Sequence, residues 1–393
     1  MYGAGSIGRG FIGALLTKIG YEVVFVDVND EVIRLINEEK TYPQIIMKEK
    51  QEINWITNIR AVDGKDADAV AKEIADADLL ATAVGAGILD KISPVIAKGL
   101  ELRWKKDKES PIDLLICENL MHADRLLRTY IREQLAPEYQ EIMDEKLGLV
   151  ETSIGRMVPP ADPSMISENE HPLAVRVEDY DFLPVDSAAF KGEIPSYEKV
   201  VPYEPFVYYL ERKLYLHNMA HVTVAFLGRY EGLTYIDEAA NNIYIEKIVY
   251  RCMMESAMML SEKFHVSITD LSRHIDDLIS RFKNPYLKDT IKRVARDPER
   301  KLKPDDRLVG AAKSAEAGNN DMIYLSFAIA LAIYYLEDRE AEEVMKELCQ
   351  ITQNEKLYEH VLYFTKKLEG NTSLKTITEE IEAYKTGMQG EVI

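Results

Sequence analysis

The amino-acid sequence predicts an α/β half followed by a mostly α-helical half, and three observations carry that expectation. Up to Cys117, short β-branched runs alternate with helical patterns, the order that a parallel sheet covered on both faces requires. A glycine-rich turn opens the chain. From Phe206 onward, apolar residues recur at three-to-four spacing almost throughout.

The elements follow in order. Gly3-Ala-Gly5-Ser6-Ile7-Gly8 has the GxGxxG spacing: a tight turn at Gly3, backbone open to a pyrophosphate at Gly5, and close packing of the next helix at Gly8. A strand over 21–27 ends at Asp27, about 20 residues after the last glycine, where a carboxylate receives ribose hydroxyls and repels a 2′-phosphate. Val28 supplies no compensating arginine, so the pattern favours NAD over NADP in a Rossmann-type domain. Asp27 as a simple strand-end or helix-capping residue is the alternative. A helix over 29–39, helices over 67–74 and 89–100, and buried strands over 77–84 and 112–117 complete the alternation. Thr82-Ala-Val84-Gly85 is a second glycine-rich crossing, placed under the nicotinamide end. Only Met1 and Tyr2 precede Gly3, fewer than the five or so residues of a first strand. The expectation is a natural start a few codons upstream, with Met1 an internal position.

Between Gly155 and Pro205 prolines crowd in and helical periodicity disappears, which predicts irregular or short-strand structure. Helices are expected over 236–264, 270–281, 321–336 and 339–349. The domains expected are 1–200, binding NAD, and 201–393, helical and holding substrate and catalytic residues, with the active site between them.

Bulk properties exclude several classes. A net charge of −19 and a sequence pI near 5.0 argue against nucleic acid and anionic membrane as partners. Cys117, Cys252 and Cys349 are far apart and odd in number, so neither a disulfide framework nor a structural zinc is expected, and a reducing cytoplasm is the natural setting. The longest apolar run, Met322 to Leu336, falls short of the ~20 residues that span a bilayer and reads as a buried helix.

The stretch from Glu211 to Gly228 carries the chemistry. On an α-helix Lys213, His217 and His221 fall at about 0°, 40° and 80°, with Asn218 flanking. Hydride removal from a secondary alcohol needs a base and donors for the developing alkoxide. Lys213 suits the base, Asn218 and Asn119 the donors, and His221 a neighbouring hydroxyl. A structural salt bridge for the lysine, with satisfied histidines, is the competing reading. Tyr209 and Lys213 have the Tyr-x-x-x-Lys spacing of short-chain enzymes, but Tyr209 reads as a packing residue. No ligand set for a catalytic metal is expected. Against the acidic whole, residues 281–307 are rich in Lys and Arg, and Arg281, Lys283, Arg293, Arg296 and Arg300 are candidates for a substrate phosphate.

The glycine motif with its continuation Arg9-Gly10-Phe-Ile-Gly13, Thr82-Ala-Val-Gly85, Cys117-Glu-Asn119, Phe190-Lys-Gly192, Glu211-Arg-Lys213-Leu-Tyr with Asn218 and His221, and Arg281-Phe-Lys-Asn284-Pro285 together resemble the polyol-specific long-chain dehydrogenases. Arg300-Lys-Leu302 and Asp306-Arg-Leu308 continue the likeness. It implies a metal-independent enzyme interconverting mannitol 1-phosphate and fructose 6-phosphate with NAD(H), with Lys213 as general base, Asn119 and Asn218 on the reacting oxygen and His221 on the substrate. A hexitol 2-dehydrogenase, a hexuronate reductase or a non-catalytic NAD-binding relative are the alternatives, and a monomer or homodimer is expected. Two departures bear on the polyol: Asn218-Met-Ala-His221 replaces the Asn-Thr-Gly-His common in the family, and Ile154-Gly155-Arg156 lacks the aspartate of Val-Asp-Arg.

Overall fold

A computed structural model describes residues 1–159, 171–336, 338–370 and 372–390. It divides into two compact units, Met1–Leu210 and Glu211–Ile393.

The first unit is built on a parallel sheet. Strand β1 (Val23–Asp27) receives the chain from helix α1 (Ala14–Ile19), which ends on Gly20 in the left-handed region. Helix α2 (Asp30–Glu39) leads through an antiparallel excursion, β2 (Tyr42–Ile46) and β3 (Glu52–Ile56), to β4 (Ile59–Asp63), which pairs in parallel with β1. Helix α3 (Ala67–Asp76), β5 (Leu80–Thr82), α4 (Leu89–Lys106) and β6 (Ile112–Ile116) continue the alternation. Helices α5 (Ala123–Gln134) and α6 (Pro137–Lys146) then cross to β7 (Leu147–Glu151). Strands β5, β6 and β7 pair in parallel, and Tyr2 bridges Val26 on one side and Thr82 on the other, so the order is β4-β1-Tyr2-β5-β6-β7. Met1 and Tyr2 take the central place of the sheet, the N-terminal amine donating to Val24 O at 2.9 Å. A cavity of about 660 Å³ opens beside them, lined among others by Val24, Leu80, Ile96 and Leu114.

Apolar residues cover both faces of this sheet, as buried parallel strands require. Phe11, Phe25 and Tyr42 pack in one layer with Val175, Val177 and Val185. Trp104, Leu100, Ile96 and Ile131 pack in the other. Polar side chains fix the helix starts: Asn29 accepts from Glu31 N and Val32 N, and Asp66 from Asp68 N and Ala69 N.

The proline-rich stretch contains the short strands β8 (Val175–Val177), β9 (Leu183–Asp186) and β10 (Val200–Tyr203). Its residues 160–170 lie outside those described. β8 joins β2 and β10 joins β9, both in parallel, so residues 200–203 belong with the first unit. The expected strand over 77–84 is shorter, because Ala83 onward turns into the loop at Gly85 (φ +89°).

The second unit is helical. Helix α7 (Val207–Arg212), within which the boundary between the two units falls, passes through a π-helical turn, Lys213–Asn218, into α8 (Met219–Tyr230). The helix expected over 236–264 is two, α9 (Ile236–Ala240) and α10 (Ile243–Phe264), because Asn242 accepts from Tyr244 N and Ile245 N and starts a new helix. Helix α11 (Ile268–Phe282) follows, then the short α12 (Ile291–Ala295) and α13 (Pro298–Lys301), α14 (Val309–Ala317), α15 (Ile323–Tyr334), α16 (Ala341–Glu347), α17 (Lys356–Leu368) and α18 (Leu374–Gly390). The apolar run is α15, buried at every residue from Ile323 to Ile333; its N-terminal amides at Tyr324 and Leu325 donate to the buried Glu255. Among the described residues no helix is long and apolar enough to cross a membrane. The three cysteines are buried, and none forms a disulfide.

Candidate active site

The glycine turn is held from several sides. Gly3 has φ +92°, and a Cβ there would lie 2.6 Å from Ala83 O, so a side chain would force the two loops apart. A Cβ on Gly8 would collide with Gly3 O. At Gly5 a Cβ would meet nothing within 4 Å. The backbone there lies open at the N-terminal end of the helix that begins with Ser6 and Ile7, a place suited to a pyrophosphate.

Asp27 stands at the end of β1 as expected. Its Oδ2 accepts from Ala4 N at 2.7 Å, while Oδ1 accepts from Val28 N at 2.8 Å and Asn29 N at 3.0 Å. The capping alternative falls away, since Asn29 caps α2. Arg9, to which sequence reasoning gave no role, donates through Nε to Ala4 O at 2.6 Å and through Nη1 to Leu173 O. Burial lowers its pKa, with Tyr42 and Asp27 opposing.

The Thr82–Gly85 loop depends on Glu118, also without a role in the sequence reading. Its carboxylate accepts from Thr82 Oγ1 at 2.7 Å and Val84 N at 3.0 Å, and burial raises its pKa against those bonds. The adjacent Asn119 is exposed at the C-terminal side of β6. Phe190-Lys-Gly192 is a clamp: the buried Asp113 of β6 accepts from Lys191 N at 2.7 Å and Gly192 N at 2.9 Å. Among the described residues His122, Asp124 and Glu151 offer ligand atoms within 4.8 Å of one another. Burial and then Asp124 push the Glu151 carboxyl up to about 7.

In the second unit the predicted residues come together, but not on an α-helical face. Lys213–Asn218 is π-helical. Its i→i+5 bonding widens the turn, so Asn218 lies closer to the Lys213 side of the helix than it would on an α-helix. Asn218 Nδ2 is buried and has no hydrogen-bond partner in the structure, which leaves a donor for a bound oxygen. His217 is buried, and its pKa is lowered far below the usual value, first by burial and then by neighbouring groups, Arg281 foremost. Arg281, buried at the end of α11 and 3.5 Å from Asp277, thus acts on the same histidine as Lys213. The His221 ring stacks on Phe282 with centroids 5.1 Å apart, and its Nε2 lies 3.0 Å from Asp289 Oδ2.

The other phosphate candidates are placed differently. Lys283 donates to Glu246 at 2.7 Å, and Arg293 forks onto Asp289. Arg296 is 74% exposed beside Asp297, and Arg300 lies 3.6 Å from Asp306. All five candidates therefore lie near a carboxylate, Arg281 included, and Arg281 is the member of the group that acts electrostatically on His217 of the Lys213 turn. Tyr209 packs among Tyr203, Phe206 and Tyr208 in the first unit, as a packing residue should.

Known proteins match along almost the whole chain. The mannitol dehydrogenase Rossmann domain matches residues 1–199, and the mannitol dehydrogenase C-terminal domain residues 206–389. The chain is 37% identical over 351 residues to the mannitol-1-phosphate 5-dehydrogenase of Thermoanaerobacter pseudethanolicus, covering 88% of each. It is 33% identical to that of Bacillus subtilis over 374 residues, 92% of this chain and 97% of the relative. Among solved structures, a D-sorbitol dehydrogenase in substrate-free form superposes with a TM-score of 0.78 at 15% identity, covering 94% of this chain and 92% of that one. The Pseudomonas fluorescens mannitol 2-dehydrogenase, in ternary complex with NAD and D-mannitol, superposes with 0.74 at 14% identity, covering 97% and 93%. With both domains matched in order and relatives above 30% identity along most of its length, the chain belongs to the mannitol dehydrogenase family.

Proposed function

We propose that the chain is an NAD-dependent polyol dehydrogenase that interconverts mannitol 1-phosphate and fructose 6-phosphate, with Lys213 as the base and no metal in the reaction. The observation that carries this is the buried, unpartnered amide of Asn218 on the same π-helical turn as Lys213, with Arg281 close by. A dry donor without a partner is costly unless a bound oxygen completes it.

NAD, when bound, supplies the hydride acceptor. Gly3, Gly5, Ser6, Ile7 and Gly8 would hold its pyrophosphate, Asp27 its ribose hydroxyls, and Thr82, Val84 and Gly85 its nicotinamide end. Lys213, as the amine, takes the proton from the substrate hydroxyl as hydride leaves the same carbon. Asn218 and Asn119 donate to the oxygen as its charge grows, which lowers the barrier. His221 holds a neighbouring hydroxyl, and the Arg281 guanidinium pairs with the phosphate.

The test is a panel of hexitols, hexitol phosphates and aldonates assayed with NAD, with and without a chelator. Mannitol 1-phosphate is expected to exceed free mannitol by about 100-fold in kcat/KM, the scale of one buried charge pair, and the chelator to have no effect. Arg281→Met should narrow that ratio. Lys213→Ala should lower kcat by roughly 100-fold or more while NAD still binds. Equal use of the free and phosphorylated polyols would overturn the phosphate assignment, and full turnover by Lys213→Ala would overturn the base.

A further inference from the structure

We propose that Asp289 is a positioning residue that fixes the proton of His221 on Nε2, making ring Nδ1 the acceptor for a substrate hydroxyl next to the reacting carbon. The inference rests on the substrate reading above for the identity of that hydroxyl, but the arrangement of the pair stands on its own geometry.

Asp289 is 6% exposed, and a buried carboxylate persists only when paired. Its partners are complete. Arg293 donates from Nε to Oδ1 at 2.8 Å and from Nη2 to Oδ2 at 2.7 Å, the bidentate fork that suits a planar carboxylate. His221 Nε2 approaches Oδ2 at 3.0 Å. Burial pushes the Asp289 carboxyl up, but the hydrogen bonds from His221 and then from Arg293 outweigh it and hold the pKa at about 2. An ionised carboxylate only accepts hydrogen bonds, so the ring nitrogen facing it carries the hydrogen. In the neutral imidazole the other nitrogen is then an acceptor.

Both partners are held in place. The ring of His221 lies nearly parallel to that of Phe282, with 8° between the planes, which restricts its tilt. The backbone around Asp289 is tied to the segment before α9: Asp289 O accepts from Ile236 N at 2.9 Å, Thr290 bridges Tyr235, and Ile291 N donates to Thr234 O at 2.9 Å. Thr290 then caps α12, the helix that carries Arg293. The carboxylate is therefore anchored by backbone on one side and by the arginine fork on the other.

A fixed acceptor discriminates by chemistry. A hydroxyl at the adjacent carbon can donate to Nδ1, whereas a carbonyl or a methylene there cannot, and a site built to hydrogen-bond a hydroxyl rejects the analogue lacking it. The same logic, a carboxylate holding an imidazole in one tautomer, governs hydrolase triads.

The direct experiment is long-range proton–nitrogen correlation spectroscopy of the full ¹⁵N-labelled chain, with His221→Gln used for assignment. The expected pattern has the proton on Nε2, and a proton on Nδ1 with a bare Nε2 would overturn the proposal whatever the substrate proves to be. The kinetic arm compares Asp289→Asn and Asp289→Glu on mannitol 1-phosphate and on an analogue deoxygenated beside the reacting carbon. The intact chain is expected to disfavour the analogue by about 100-fold in kcat/KM. Asp289→Asn, which tolerates either tautomer, should disfavour it by less than about 10-fold, and Asp289→Glu should restore most of the discrimination. An unchanged penalty in Asp289→Asn would sink the idea. If no polyol phosphate is turned over, the substrate reading fails and the spectroscopic arm still decides the tautomer.

Discussion

Asn218 shows what a single side chain implies when it is read by its unmet bonds. Its Nδ2 is buried and unpartnered, and a donor left dry costs about 1–3 kcal/mol. Asn218→Leu removes that cost along with the donor. The expected outcome is a thermal midpoint unchanged or raised in calorimetry, together with a kcat lowered by roughly 10–100-fold. A midpoint that drops with activity would instead make Asn218 structural. The residue types at this site were legible in the sequence, since lysine, amide and histidine on an apolar helix are unusual. The residues that hold this helix and the glycine loops in place were not. Glu118, Arg9 and Asp289 act through contacts 34, 164 and 68 positions away in sequence, and no local spacing encodes such distances.

At the scale of the element, departures from regular structure coincide with the sites. Gly8–Gly13 and Lys213–Asn218 are both π-helical, one beside the glycine turn and one carrying Lys213. A reading at 100° per residue captures the helix but misplaces Asn218, because an extra residue per turn leaves no mark in apolar spacing. The β2–β3 pair was missed for a different reason. Pro43 discourages a strand assignment, yet it lies outside the Gln44–Ile46 stretch that pairs with β8 and faces only Trp55 on β3. Ile53 and Trp55 are half exposed, so β3 has no clear buried face to betray it. The Asp113 clamp makes the Phe190-Lys-Gly192 signature structural. Asp113→Ala would strand two amides, and a loss of about 2–4 kcal/mol is expected in urea unfolding. Unaltered stability would show that the clamp contributes nothing.

For the whole molecule, the α/β-then-α order was legible because alternation and periodicity are properties of long windows, which local exceptions do not erase. Acid response is a property of the same scale. Burial, then the charges of Arg212 and Arg281, lower His274 from 6.5 to about 3. The unfolded chain takes up that proton near 6.5 and the folded one refuses it until about 3. Stability from this residue is therefore intact above 6.5 and falls by up to about 1.4 kcal/mol per pH unit below it. His217 has the same sign. Glu255 has the opposite one: burial first, then Asp321, raises it to about 7, so its contribution is full below 4.5 and is lost as pH rises through 7. The informative quantity is thus the difference between His274→Gln and the parent. Its unfolding free energy should decline less steeply between pH 6.5 and 4, and parallel curves would refute the assignment.

Arg9 has a reach that its place in a short motif conceals. One guanidinium fastens the glycine turn at Ala4 to the strand entry at Leu173, and the backbone carbonyl of the same residue receives the Tyr42 hydroxyl at 2.7 Å. Three stretches of chain remote in sequence thus share one knot. The arginine within the glycine signature serves as a rivet that joins the glycine turn to β2 and to the entry of β8.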